Sequence, residues 1–124
     1  MSHNYYNVEP PAGQLRLASA ATTNFTASLL AAVARMLPST LLSTGGDEVN
    51  TNCYAQDSVT QAELNATGRS LNQALDDFTK QTHSAIIAEG KTPIVWEGRK
   101  VLDIAKNPFT FTFFLSQKWF LIIM

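Results

Sequence analysis

A single cysteine, Cys53, stands in the 124 residues, and a lone thiol cannot close an intramolecular disulfide. Charge is also sparse. Charged residues make up 15% of the chain and the formal net charge is −1, which leaves no electrostatic footprint for nucleic acid. No long apolar run is present either. The closing Trp119–Met124 segment is preceded by Ser116-Gln117-Lys118, which interrupts it well short of the about 20 apolar residues that a membrane helix needs. No membrane partner is therefore expected. The amino terminus, Met1-Ser2-His3-Asn4-Tyr5-Tyr6, has neither a basic start nor an apolar core, so no signal peptide is expected in the chain as written. No cofactor and no metal are expected.

The hydrophobic fraction, 45%, is ordinary for a globular core. Up to about Ala21 the chain is polar and punctuated by Pro10, Pro11 and Gly13, which predicts an extended loop. Between Thr23 and Leu37 the residues Phe25, Leu29, Val33 and Met36 recur at three- and four-residue intervals, with Leu30 and Leu37 beside them. That spacing predicts an amphipathic helix capped by Thr22 or Thr23 and stopped by Pro38. Thr40-Leu41-Leu42-Ser43 then reads as a short buried strand. Gly45-Gly46 lets the backbone turn sharply at its end, and Asp47-Glu48-Val49-Asn50 follows.

Beyond Asn50-Thr51-Asn52-Cys53-Tyr54, read as a loop, a helical pattern begins near Asp57 and breaks at Gly68. Leu71, Leu75, Phe78 and Ile86, with Ala74 and Ala85, place one apolar stripe on a helix that runs to about Glu89. Gly90 suits the position after the helix end, and Lys91 suits its negative pole. Thr92–Trp96 is the next strand, expected to be buried on both faces. Helix, strand, helix, strand implies parallel pairing, so the class is α/β. Parallel α/β enzymes keep their chemistry where the carboxyl ends of strands meet their loops, and Asp47 and Glu48 fall there.

Gly45-Gly46-Asp47-Glu48-Val49 resembles the catalytic signature of family 20 glycoside hydrolases, the β-N-acetylhexosaminidases, in which it closes the fourth strand of a (β/α)8 barrel. Pro10-Pro11-Ala12-Gly13-Gln14-Leu15, Asn52-Cys53-Tyr54 and Pro93-Ile94-Val95-Trp96-Glu97 are similar to fungal-type members in the same order. A complete barrel takes about 250 residues. The resemblance therefore implies a partial (β/α)8 barrel, from about helix 3 to strand 5, over residues 1–97. Residues 98–124 form a divergent apolar tail with no domain assigned, read as an unnatural continuation. Within it Phe109-Thr110-Phe111-Thr112-Phe113-Phe114 has strand periodicity.

The resemblance also implies roles. Family members are substrate-assisted: the substrate's own 2-acetamido oxygen attacks the anomeric carbon. Glu48 would be the general acid and then the base that activates water. Asp47 would hold the acetamido N–H and stabilise the developing positive charge. Two neighbouring carboxylates disfavour double ionisation, which fits one charged and one protonated partner. Trp96 would wall the acetamido pocket, and Glu97 is given no role. Cys53 corresponds to a cysteine that the family bonds to one upstream, a partner missing from this chain; as a residue alone it reads equally as a free thiol packed in a loop. Ser43 stands where many members carry a histidine, and neither His3 nor His83 replaces the family's absent histidine. No counterpart appears of the family's substrate-binding arginine, its Asp-His pair, or its later Asp-Tyr and Trp-Glu elements.

The implied substrates are N-acetylhexosamine-terminated glycans or chitin oligomers, with homodimers possible for full-length relatives. The sequons Asn24-Phe25-Thr26 and Asn65-Ala66-Thr67 suit a secreted or a vacuolar or lysosomal enzyme. Two other readings compete. A diguanylate cyclase carries a similar Gly-Gly-acid-acid motif, but on a hairpin between antiparallel strands, for which no signal exists here. A non-catalytic sugar-binding or interaction remnant would keep Asp47 and Trp96 in use and leave Glu48 dispensable.

Overall fold

A computed structural model describes residues 14–45, 49–96 and 111–113, the last of these strands and Trp96 by their backbone. The elements in chain order are α1 (Ala20–Met36), β1 (Leu41–Ser43), α2 (Thr51–Gln56), α3 (Ser58–Thr67), α4 (Leu71–Ala88), β2 (Thr92–Trp96) and β3 (Phe111–Phe113). The strands form one sheet in the order β1-β2-β3, and both pairings are parallel. The register sets Leu41 opposite Thr92, Leu42 opposite Pro93 and Ser43 opposite Ile94. Parallel neighbours cannot be joined by a tight hairpin, so α2, α3 and α4 make the crossover from β1 to β2. This arrangement also disposes of the diguanylate cyclase reading. Among the described residues the next element after β1 is the helix α2, and both strand pairings are parallel.

α1 starts earlier than its apolar spacing predicts. Its cap is Ser19, whose side chain makes no capping bond, and Thr23 instead returns its hydroxyl to the Ser19 carbonyl at 3.1 Å. The stop is as expected. Leu37, which precedes Pro38, takes an extended conformation because the proline ring disfavours the helical one there. The predicted stripe packs inward only in part, at Val33 with Leu30 beside it. Phe25, Leu29 and Met36 are exposed, Met36 at 81%, whereas Ala34 is completely buried. The physical reason is close approach: Ala34 packs with Leu42 of β1 and Ile86 of α4, flanked by Leu30 and Val33. A small side chain lets the helix sit down on its neighbours, while Phe25, Leu29 and Met36 are turned outward. Ala34→Leu is accordingly expected to destabilise the fold by about 1–3 kcal/mol through overpacking, measured by urea denaturation, with an unchanged slope.

β1 also departs from expectation. Leu42 is buried, but Leu41 is 46% exposed, because helices cover one face of the sheet and successive strand residues alternate between faces. In β2, Pro93 and Val95 are buried while Ile94 is only half-buried.

α4 is the best-specified element. Ser70 and Gln73 form a reciprocal capping box: Gln73 N–H donates to Ser70 Oγ at 3.2 Å and Ser70 N–H to Gln73 Oε1 at 2.8 Å. At the other end Gly90, at φ 74°, permits the left-handed exit in which Gly90 N–H donates to Ile87 O and Lys91 N–H to Ile86 O. The Lys91 ammonium does not serve α4, as its sequence position suggested. It reaches across to the carbonyls of Leu37, at 2.6 Å, and Ser39, and so ties the exit of α1 to the start of β2. Arg35 pairs with Glu89 at the same end.

Candidate active site

The candidate site is built at the carboxyl end of the sheet, where β1 and β2 stop side by side. Thr44 N–H donates to Ile94 O at 2.9 Å, one step beyond the last paired residues of β1. The Thr44 hydroxyl donates to the same carbonyl at 3.2 Å, and His83 Nε2 lies 3.1 Å from that hydroxyl oxygen. Gly45 then takes φ 69°, a conformation that L side chains rarely adopt. Residues 46–48, and with them Asp47 and Glu48, lie outside the described residues, as does the Trp96 side chain. The backbone of Trp96 closes β2 at the same edge of the sheet.

The chain is held again at Asn50. Asn50 N–H donates to Gln14 Oε1 at 3.0 Å, and the Asn50 side chain caps α2 by accepting from Asn52 and Cys53 N–H. Cys53 therefore sits in a helix rather than a loop. It is buried, and its thiol is free among the described residues. Tyr54, one residue on, is 3% exposed and donates its hydroxyl to Leu15 O at 2.6 Å. The segment from Gln14 to Ser19 thus runs beneath α2 as a strap. Arg16 fastens it further: its Nε lies 3.0 Å from Oδ2 of the buried Asp57, which caps α3 through Thr60 N–H and the Thr60 hydroxyl.

Burial pushes the Tyr54 phenol up to about 12, with the neighbouring Cys53 adding a smaller contribution of the same sign. A phenol whose folded value exceeds its ordinary 10.0 stabilises the fold fully below pH 10. That stability disappears as pH rises through the folded value. An alkaline titration followed by circular dichroism is expected to show about 2–3 kcal/mol lost between pH 10 and 12. Tyr54→Phe is expected to flatten that loss, at a cost near neutral pH of about 1 kcal/mol for the missing hydrogen bond.

His83 is 4% exposed, and burial lowers its pKa below the ordinary histidine value, so it is neutral at neutral pH. The sequence signal for it was its register. His83 lies three residues before Ile86, a spacing that sets both on one face of α4, and both are buried. A cavity of about 250 Å³ opens beside it, lined by Leu30, Thr44, Gly45, Phe78, His83 and Val95 among others.

The predicted sequon asparagines, Asn24 and Asn65, are both exposed, on α1 and α3. Their companion threonines donate hydroxyls to helix carbonyls, Thr26 to Thr22 O and Thr67 to Glu63 O. Among the described residues, no group of three or more His, Cys, Asp or Glu could hold a metal ion, and no helix is long and apolar enough to cross a membrane.

A sheet of parallel strands crossed over by helices defines an α/β scaffold. Residues 1–117 match the profile of the family described as Glycosyl hydrolase family 20, catalytic domain, and the chain belongs to that family. The match continues past residue 97 and includes β3. The chain is also similar to a Beta-hexosaminidase of Arthroderma benhamiae, with 40% identity over 101 residues, which covers 79% of this chain and 16% of that protein. It therefore spans well under a fifth of the length of that relative.

Proposed function

We propose that the chain is part of the (β/α)8 barrel of a β-N-acetylhexosaminidase, one that removes terminal non-reducing N-acetylhexosamine from glycans or chitin oligomers by a retaining, substrate-assisted mechanism. The observation that carries this reading is the parallel register of β1 and β2. It brings the exit of the Gly45 turn and the end of β2 at Trp96 to one edge of the sheet, where a sugar could meet both. Glu48 protonates the glycosidic oxygen and then, as its conjugate base, takes a proton from the water that opens the oxazolinium intermediate. Asp47 accepts the acetamido N–H and faces the positive charge as it forms. Trp96 offers an apolar wall to the acetamido methyl and the ring. The exposed Asn24 and Asn65 fit a protein that passes through the secretory route to the outside or to a vacuole or lysosome.

The same reading makes the 124-residue chain inactive by itself. The described residues supply three strands, where a closed barrel takes eight around a sugar site. Hydrolysis of a chromogenic N-acetylglucosaminide tests both halves. The expected result is no release by the 124-residue chain beyond a Glu48→Gln control, and turnover once barrel sequence is supplied on both sides. Turnover by the 124 residues alone would refute the inactivity, and silence from the extended protein would refute the activity.

A further inference from the structure

We propose that His83 is a positioning residue for the segment between Gly45 and Val49, in which Asp47 and Glu48 stand in sequence, acting through Thr44 at the point where the chain leaves β1. The inference deepens the hexosaminidase reading and rests on it for the roles of those carboxylates.

The Thr44 hydroxyl lies 3.2 Å from Ile94 O and 3.1 Å from His83 Nε2, and one hydrogen bond joins it to the histidine in either tautomer. With the proton on Nε2 the ring donates and the hydroxyl serves Ile94 O; with the proton on Nδ1 the hydroxyl donates to Nε2. His83 thus anchors Thr44 to α4, while Ile94 anchors it to β2. Packing does little at this point. Thr44 and Gly45 both border the 250 Å³ cavity, and a Cβ built at Gly45 would meet nothing within 4 Å. Where side chains do not wedge the backbone, hydrogen bonds set its direction. The downstream end is held in a comparable way, by Gln14 Oε1 on Asn50 N–H. The interval between Gly45 and Val49 is therefore fixed at both ends by side chains remote in sequence.

Hydrogen exchange in the 124-residue chain supplies a local readout. Thr44 N–H and Thr92 N–H bridge β1 and β2 at opposite ends, to Ile94 O and Thr40 O. His83→Leu is expected to speed exchange at Thr44 about tenfold, the worth of one hydrogen bond, and to leave Thr92 unchanged. His83→Gln, whose amide nitrogen can occupy the place of Nε2, restores protection. In a Thr44→Val background His83→Leu adds nothing further. Equal acceleration at Thr44 and Thr92, or no rescue by Gln, would show a merely structural histidine and overturn the proposal. In the protein extended to a whole barrel, His83→Leu is expected to lower kcat about a hundredfold with KM held within about twofold, as misplaced catalytic groups do. An unchanged kcat there would overturn it as well. If the extended wild-type protein hydrolyses nothing, the hexosaminidase reading fails, and the exchange pattern by itself decides whether His83 holds the turn.

Discussion

In a protein that supplies the rest of the barrel, Glu48→Gln is expected to cut turnover of N-acetylhexosaminides by about 10²- to 10⁴-fold, the usual worth of general acid–base catalysis. The size should depend on the leaving group. An alcohol of a second sugar departs as a poor anion and needs the proton, so the loss sits at the upper end. A nitrophenolate leaves unaided, so the loss at that step sits at the lower end. Asp47→Asn predicts no such dependence. Its charge faces the oxazolinium rather than the departing oxygen, so its loss should be similar for both substrates. Kinetics of the two variants on an aryl glycoside and on a chitin oligomer separate these roles. Equal sensitivity of both variants to the leaving group would remove the assignment. A full rate for Glu48→Gln together with lost sugar binding on Trp96→Ala would favour a non-catalytic sugar-binding remnant.

Much of the scaffold around these residues is legible in the sequence because its signals are local. Pro38 ends α1, Gly68 separates α3 from α4, and Gly90 ends α4, each through backbone restrictions that act without tertiary contacts. Ser70 and Gln73 form a cap three residues apart for the same reason. The misses share another cause. α2 spans six residues, Thr51–Gln56, too few to show a 3.6-residue period, and its composition is largely polar. In α1, hydrophobic spacing favoured Phe25, Leu29 and Met36, but the seam against α4 selects by size, and Ala34 takes it. His83 was readable as a residue on the buried face of α4. Its partner Thr44 was not, since their contact spans 39 positions and depends on how β1 meets β2. Long-range polar contacts of this kind have no periodicity to announce them. Asp47 and Glu48, conversely, are conspicuous in the sequence through motif alone, and their chemistry awaits the kinetic tests.

Asp57→Ala is expected to cost about 2–4 kcal/mol of folding stability, a large share of what a domain of this size possesses. The Asp57 side chain is 4% exposed, yet it serves both Thr60 and Arg16. It caps α3 by accepting Thr60 N–H at 3.1 Å, it accepts the buried Thr60 hydroxyl at 2.6 Å, and it receives Arg16 through Nε at 3.0 Å and Nη2 at 3.4 Å. Alanine would leave an uncapped helix start and a buried hydroxyl without its acceptor, each a penalty of about 1 kcal/mol or more. It would also release Arg16, and with it the strap from Gln14 to Ser19. Arg16→Ala should cost less than Asp57→Ala, because the arginine is 46% exposed and water can replace part of what it supplies. Asp57→Asn keeps the cap but loses the charge, and should fall between the two. The order expected from denaturant midpoints is therefore Arg16→Ala mildest, Asp57→Asn intermediate and Asp57→Ala worst. The strap makes the same series visible at the site. Gln14 lies two residues before Arg16 and holds Asn50, so loosening the Arg16 anchor should raise hydrogen exchange at Asn50 N–H while Thr44 N–H, anchored from α4 and β2, stays protected. Exchange rising equally at both amides would mean that the two ends of the turn are not held independently.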